Sequence, residues 1–310
     1  LAVVASLGNE APAQTTSPLV RIGNAPDDAG RPLLYAAQSG LFKQAGLNVE
    51  IVKLANGSAV AAAVAGGSLE LGKGSALTAI QAHAKGLPFT VTTNLANYSD
   101  ASPDTAMIVR RDAKMKTPKD LIGKTIGVNG LQDFNTLTVY AWLDQNGIDS
   151  SKVRFLEIPY SAAIAAMEQG RIDAAMALEP MYSSALASGK FRVFAHPWNA
   201  LGKHFSEGVL FGKTSWVSEH KDLVVKLNRV VHDAEAYVGT HETETAHLAA
   251  AYSGFDPASL KDFHPPARAL ALDATDLQPT IDAAARYKLI AKPFPAQDLI
   301  CDCAKESAAR

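Results

Sequence analysis

Cysteine is nearly absent from this chain: it has two, Cys301 and Cys303, with a single residue between them. That spacing is tighter than an ordinary bridge and supplies only two metal ligands, so neither a disulfide framework nor a metal centre is expected there. Strong net charge is absent too, with 29 basic against 31 acidic residues and a formal net charge of −2. This balance excludes a nucleic-acid binder that works by counterion release. No apolar run approaches the ~20 residues of a membrane-spanning helix. Complete catalytic and phosphate motifs are also missing. Residues 67–74 approximate a P-loop, but Gly74 stands where a Ser or Thr would hold Mg²⁺. Ahead of Gly212-Lys213-Thr214, Glu207 occupies the place of the required glycine. His241 and His247 are too far apart for HExxH and read as a solvated helix face. No G-x-S-x-G elbow occurs. We therefore assign no catalytic residue, metal or cofactor.

What is present is a globular composition, 47% apolar and 19% charged over 310 residues, enough for two domains. The chain is organised around residues 61–76. An alanine-rich helix ends at Gly66 or Gly67, a short buried strand is expected at residues 68–71, and a glycine-rich loop leads to Ser75, which suits the N-cap of the next helix. Residues 165–177 repeat that order, and Leu178-Glu179-Pro180 turns into a further helix. Two copies of one device about a hundred residues apart predict two α/β lobes, each aiming loops at a shared space, at the strand ends where open α/β sheets place ligands.

Taken in order, residues 1–7 form a short apolar run, and Ala11-Pro12-Ala13 has the small-residue pattern of a signal cleavage site, so residues 1–19 are expected to be an export leader. Strands are expected at residues 20–24, 47–53, 89–93, 124–128, 153–158 and 191–194. Residues 94–103 read as a polar loop. Ser58 is expected to cap the helix that follows Asn56 and Gly57. Residues 105–109 and 208–211 are expected to cross between lobes. That gives a first lobe of residues 20–108 and 209–310, and a second of 109–208. Leu223, Val224, Leu227, Val230, Val231 and Ala234 share one helical face. Pro257, Pro265 and Pro279 are expected near helix starts or breaks. Two crossings make a hinge, and a hinge between similar lobes makes a cleft.

Gly40-Leu41-Phe42, Gly46-Leu47, Val49-Glu50 and Val52 resemble the opening of the nitrate/sulfonate/taurine-type substrate-binding proteins of ABC transporters. Asp120-Leu121, Gly123-Lys124, Ile126-Gly127-Val128, then Gly170, Ile172-Asp173-Ala174 and Glu179-Pro180, are similar to later segments of that family, in the right order. The resemblance implies a type II periplasmic-binding-protein fold, a small ligand between the lobes, and delivery to the membrane permease of an ABC importer, in an exported, periplasmic protein expected to be a monomer. The family also includes relatives that bind thiamine-precursor pyrimidines and enzymes of that pathway. The cysteine-rich iron-binding motif associated with those enzymes is missing here. A pyrimidine-related enzyme and a periplasmic ligand sensor stay open as alternatives.

The candidate ligand contacts are the loops that end strands. From the first lobe they are Asn24, Ala25, Pro26, Asp27, Asp28, Asn56, Gly57, Ser58, Gly74, Ser75, Ala76, Asn94 and Tyr98. From the second they are Asn129, Gln132, Phe134, Asn135, Tyr160 and Glu179. Serine hydroxyls and helix-start N–H groups suit a sulfonate or carboxylate. Phe134, Tyr98 and Tyr160 suit an apolar ligand body. Asp27, Asp28 and Glu179 suit an amine or hydroxyl. Arg31 is the one cation near these loops and is expected to pair with Asp28. The mixture favours an organic solute over an inorganic anion.

Overall fold

The short β-branched runs pair into two sheets, and the amphipathic and alanine-rich runs pack on them as helices. The structure, a computed structural model, describes residues 17–260, 263–268 and 271–308. The expected leader run at residues 1–7 and the Ala11-Pro12-Ala13 site lie outside the described residues. The chain runs β1 (Leu19–Asn24), α1 (Arg31–Gln38), α2 (Leu41–Gln44), β2 (Asn48–Lys53), α3 (Gly57–Gly66), β3 (Leu71–Ser75), α4 (Ala76–Ala84) and β4 (Phe89–Ser99). It continues through β5 (Thr105–Arg110), β6 (Thr125–Val128), α5 (Phe134–Gln145), β7 (Arg154–Glu157), α6 (Tyr160–Glu168), β8 (Ala174–Leu178), α7 (Met181–Ala187), β9 (Phe191–Ala195) and β10 (His204–Lys213). It finishes in α8 (Thr214–Glu219), α9 (Lys221–Thr240), α10 (Glu242–Ser253), α11 (Ala274–Arg286) and α12 (Asp302–Ala308). The predicted apolar face of α9 packs inward, with Val224, Leu227, Val230, Val231 and Ala234 buried.

The two sheets follow one plan. The first has the order β2-β1-β3-β10-β4 and the second β7-β6-β8-β5-β9. Each begins with three parallel strands and ends with two antiparallel additions. The first sheet is completed only when β10 returns from the second lobe and inserts between β3 and β4. Residues 105–109 and 208–211, expected as crossings, are therefore central strands of one sheet each. The chain passes between sheets at residues 100–104 and 196–203. A strand buried on both faces has the same apolar pattern whether it joins lobes or lies inside one, so periodicity could not separate the two cases.

The organising stretch also differs from expectation in register. Gly67 closes α3 with φ 78°, as predicted, but the strand starts at Leu71 and takes in Gly72, Lys73, Gly74 and Ser75. The glycines that suggested a loop are needed inside the strand because a helix lies close on it. A Cβ on Gly72 would stand 2.5 Å from Val60 Cγ1, 3.0 Å from Val64 Cγ2 and 3.1 Å from Phe211 Cζ. Gly72→Ala is thus expected to destabilise the fold by ~1–3 kcal/mol through overpacking. Gly66→Ala, where a Cβ meets nothing within 4 Å, should shift stability by less than ~0.5 kcal/mol. Urea denaturation of both variants checks the contrast, and equal effects would refute the packing explanation.

Other expectations need correction. Residues 94–99 continue β4 instead of forming a loop. Their polar groups are satisfied within the sheet: Asn94 donates to Asn97 Oδ1 at 2.8 Å and accepts from Ser206 Oγ at 3.0 Å. The outer edge of β4 is covered through Val91 against Ile300 and Asn97 against Ala267. Asn56, not Ser58, caps α3, accepting from Ala59 N at 3.0 Å. Pro257 opens a 3₁₀ turn as expected. Pro265 lies instead outside any helix or strand and Pro279 inside α11. Cys301 and Cys303 are bridged. The turn into α12 brings their Cα atoms to 5.2 Å, inside the roughly 4.4–6.8 Å that a disulfide requires.

Candidate functional site

Between the two sheets lies a cavity of about 70 Å³, several times the ~10–15 Å³ that one water needs. Its walls are mostly helix starts. Asn56 caps α3, Ser75 caps α4 by accepting from Thr78 N at 3.3 Å, and Asp133 caps α5 by accepting from Thr136 N at 2.9 Å. The residues just inside these caps (Gly57 and Ser58, Leu77 and Thr78, Phe134 and Asn135) also line the cavity. Tyr160 opens α6, and its hydroxyl accepts from Asn135 Nδ2 at 2.8 Å. Four helix N-termini at one space give a concentration of partial positive charge and N–H donors.

Of the predicted contacts, the structure brings twelve to this wall. Ala25, Asp27, Asn56, Gly57, Ser58, Gly74 and Ser75 come from the first lobe; Asn129, Gln132, Phe134, Asn135 and Tyr160 come from the second. The others are placed elsewhere. Pro26 is half-buried outside the wall, and Ala76 is fully buried in α4. Asn24 is fully buried; its carbonyl accepts from Tyr252 Oη at 3.0 Å and from Leu54 N at 3.1 Å. Asn94 stays within β4. The Tyr98 hydroxyl donates to Asn199 Oδ1 at 2.6 Å, and its ring stacks on Phe205 with centroids 5.0 Å apart. Burial raises the Tyr98 hydroxyl pKa above the usual tyrosine range.

Asp28 and Glu179 act as joints between lobes. Asp28 N donates to the Glu179 carbonyl at 3.2 Å. The Asp28 carboxylate faces Arg31 Nε at 3.1 Å and Arg268 Nη2 at 2.8 Å, so the expected pairing of Arg31 with Asp28 is present. The Glu179 carboxyl accepts from Ser183 Oγ at 2.6 Å and from His264 N at 3.0 Å. Burial pushes its pKa up, against the pull of those hydrogen bonds. A second contact spans the opening, where Gln81 Nε2 donates to the Gln132 carbonyl at 3.0 Å.

Sequence reasoning missed three of the four charged members of the wall, all but Asp27. Lys73, 1% exposed, pairs with Asp27. Asp133, which caps α5, is pushed up to about 7, chiefly by burial. Glu207, on β10, is 4% exposed and lines the cavity. Trp198 also lines it, donating from Nε1 to Asn135 Oδ1 at 3.0 Å. A capping signal was available for Asp133, which precedes an apolar helical run. Reading residues 71–75 as a strand would have turned Lys73 to the same side as Leu71. For Glu207 and Trp198 no local signal exists. Among the described residues no group of three or more His, Cys, Asp or Glu is placed to hold a metal ion, and no helix is long and apolar enough to cross a membrane.

Residues 30–245 match the NMT1/THI5 like family. No curated protein matches the chain. Among solved structures, the fold is similar to the periplasmic aliphatic sulphonate binding protein SsuA from Escherichia coli, with TM-score 0.75, 19% identity, and coverage of 95% of this chain and 100% of that one. It is similar as well to the alkanesulfonate-binding protein SsuA from Xanthomonas axonopodis pv. citri bound to MOPS, with TM-score 0.77, 20% identity, and coverage of 92% and 99%. The periplasmic nitrate-binding protein NrtA from Synechocystis PCC 6803 aligns with TM-score 0.67 and 14% identity over 78% of this chain and 69% of that one. These likenesses fix the architecture as the two-lobed periplasmic-binding-protein fold.

Proposed function

The chain belongs to the NMT1/THI5-like family, and from that premise we propose that it is the exported solute-binding component of an ABC importer. It holds a small organic solute between its lobes and presents the closed form, as a monomer, to a membrane permease. The observation that carries this reading is the cavity between two sheets of equal plan, walled by helix starts from both. Contacts on both lobes are what a ligand needs to favour the closed state. The hinge lies at residues 100–104 and 196–203, which we take as the lobe boundaries. The starts of α3 and α4 suit a sulfonate or carboxylate group of the solute. The Cys301–Cys303 bridge suits an oxidising compartment such as the periplasm. The wall is made of helix starts and paired charges, and we read the site as one that binds and releases its solute unchanged.

Two measurements test this. Native mass spectrometry of gently purified protein should show a retained small-molecule adduct, released on unfolding. Ser58 is exposed at the mouth of the cavity. Ser58→Trp would fill that volume, and it should leave the melting temperature of the ligand-free protein nearly unchanged while weakening solute binding by at least about tenfold, which removes ~1.4 kcal/mol of ligand stabilisation. Undiminished retention by the variant would overturn the assignment of this cavity.

A further inference from the structure

We propose that Glu207, in the wall of the cleft with Asp104 buried behind it, receives an ammonium or amidinium group, so that the solute is a small organic cation or carries a cationic end. This rests on the reading of the cleft as a solute site and specifies its ligand. Glu207 lines the cavity at 4% exposure, and Asp104, at 2%, is the last residue of the first passage between lobes. The two carboxyl groups are close enough to act on each other electrostatically. Glu207 Oε2 and Asp104 Oδ1 receive no N–H or O–H donor from elsewhere.

Two carboxyl groups in contact away from water persist only with a proton between them. Burial above all pushes both pKa values well up; Asp104 raises Glu207 further, and Glu179 and Asp28 raise Asp104. The charged and titratable groups facing Glu207 are Asp104, Asp27, Asp28 and Lys73, with Tyr98 and Tyr160 close by. Lys73, the cation among them, is already engaged by Asp27. The cavity wall thus carries three carboxyl groups, on Asp27, Asp133 and Glu207, against the single amine of Lys73.

An incoming ammonium or amidinium supplies the N–H donors that Glu207 lacks and replaces the shared proton as its partner. The proton leaves to solvent, Glu207 stays as a carboxylate, and no covalent bond changes. Binding of such a group therefore releases one proton and tightens as pH rises. An anion taking a hydrogen bond from the protonated pair would show the opposite sign. Any oxyanion of the same solute still has the helix starts of the opposite wall.

The test is titration calorimetry in phosphate buffer with four probes: ethylammonium, acetamidinium, ethanesulfonate and propionate. The two cations should bind more tightly as pH rises, by up to about tenfold per pH unit, the slope of one released proton. Glu207→Gln, which keeps the shape and removes the charge, should weaken them at least about tenfold and flatten the slope. Asp104→Asn serves as the second variant; it should flatten the slope while retaining cation binding, with circular dichroism confirming the fold of both. Binding of the sulfonate or propionate alone, or cation binding indifferent to Glu207→Gln, overturns this inference and leaves the solute-binding reading standing. Failure of all four probes together with an empty native mass spectrum overturns both.

Discussion

Trp198→Ala is expected to cost ~3–5 kcal/mol of stability, one of the two largest single effects we anticipate. Trp198 sits in the return passage between lobes and is 1% exposed. Its ring meets Phe134 at 4.8 Å, Tyr98 at 5.4 Å and Phe205 at 6.0 Å between centroids. Phe134 belongs to α5 of the second lobe, whereas Tyr98 and Phe205 lie on β4 and β10 of the first. The cluster therefore packs the hinge from both sides. Truncation leaves a void among rigid rings and removes the indole donor of Asn135 Oδ1, adding an unsatisfied acceptor to the lost packing. Trp198→Phe should recover most of the packing but not that hydrogen bond, placing it between wild type and Ala. Urea denaturation gives the free energies. A loss below ~1 kcal/mol for the Ala variant would show that the cluster does not hold the hinge. Because Asn135 and Trp198 both line the cavity, solute retention should fall with stability.

How much of this was legible depends on the range of the interaction. Asn56, Ser75 and Asp133 are N-caps whose partners lie three residues away, and such local chemistry can be read along the chain. The repeated device at residues 61–76 and 165–177 was legible for the same reason, and it anticipated two lobes of like plan. Asn94 to Tyr98 were not. Two asparagines within four residues read as a loop, yet here both find side-chain partners inside a buried sheet, and tertiary satisfaction overrides propensity. Lys73 and Glu207 were hidden by the opposite problem. Each is a charge in a short strand, and only the arrival of β10 beside β3 brings them to one cavity. Cys301 and Cys303 seemed too close in sequence to bridge, but that judgement depends on the backbone between them.

Arg268 is the residue whose role was least visible in sequence and whose loss should be comparable to that of Trp198. It lies in the segment of residues 263–268 that connects to both lobes. Its guanidinium reaches Asp28 Oδ2 at 2.8 Å, Glu242 Oε1 at 3.1 Å and Glu235 Oε1 at 4.0 Å. Arg31, fully buried, contacts Asp28 and Glu242 in the same group and stacks under the Phe263 ring at 4.9 Å. Two guanidiniums thus offset three carboxylates in a site where Asp28 and Glu235 are almost completely buried. Burial works against the charge on Arg268, but the surrounding carboxylates outweigh it and raise its pKa. Arg268→Met preserves the stem and removes the charge, so Asp28 and Glu242 lose one of the two guanidiniums they face. Breaking a buried charge group in this way costs ~3–5 kcal/mol. Arg268→Lys should cost less, since it restores the charge without the planar fork. Urea denaturation of both variants tests this order; a Met variant no less stable than the Lys variant would rule out the electrostatic account. The same segment donates His264 N to Glu179 in the second lobe, so the ion cluster anchors a tie between the lobes on the side of Asp28 and Glu179. In Arg268→Met the closed form should consequently be less populated, and solute affinity should fall even at a solute concentration that restores folding.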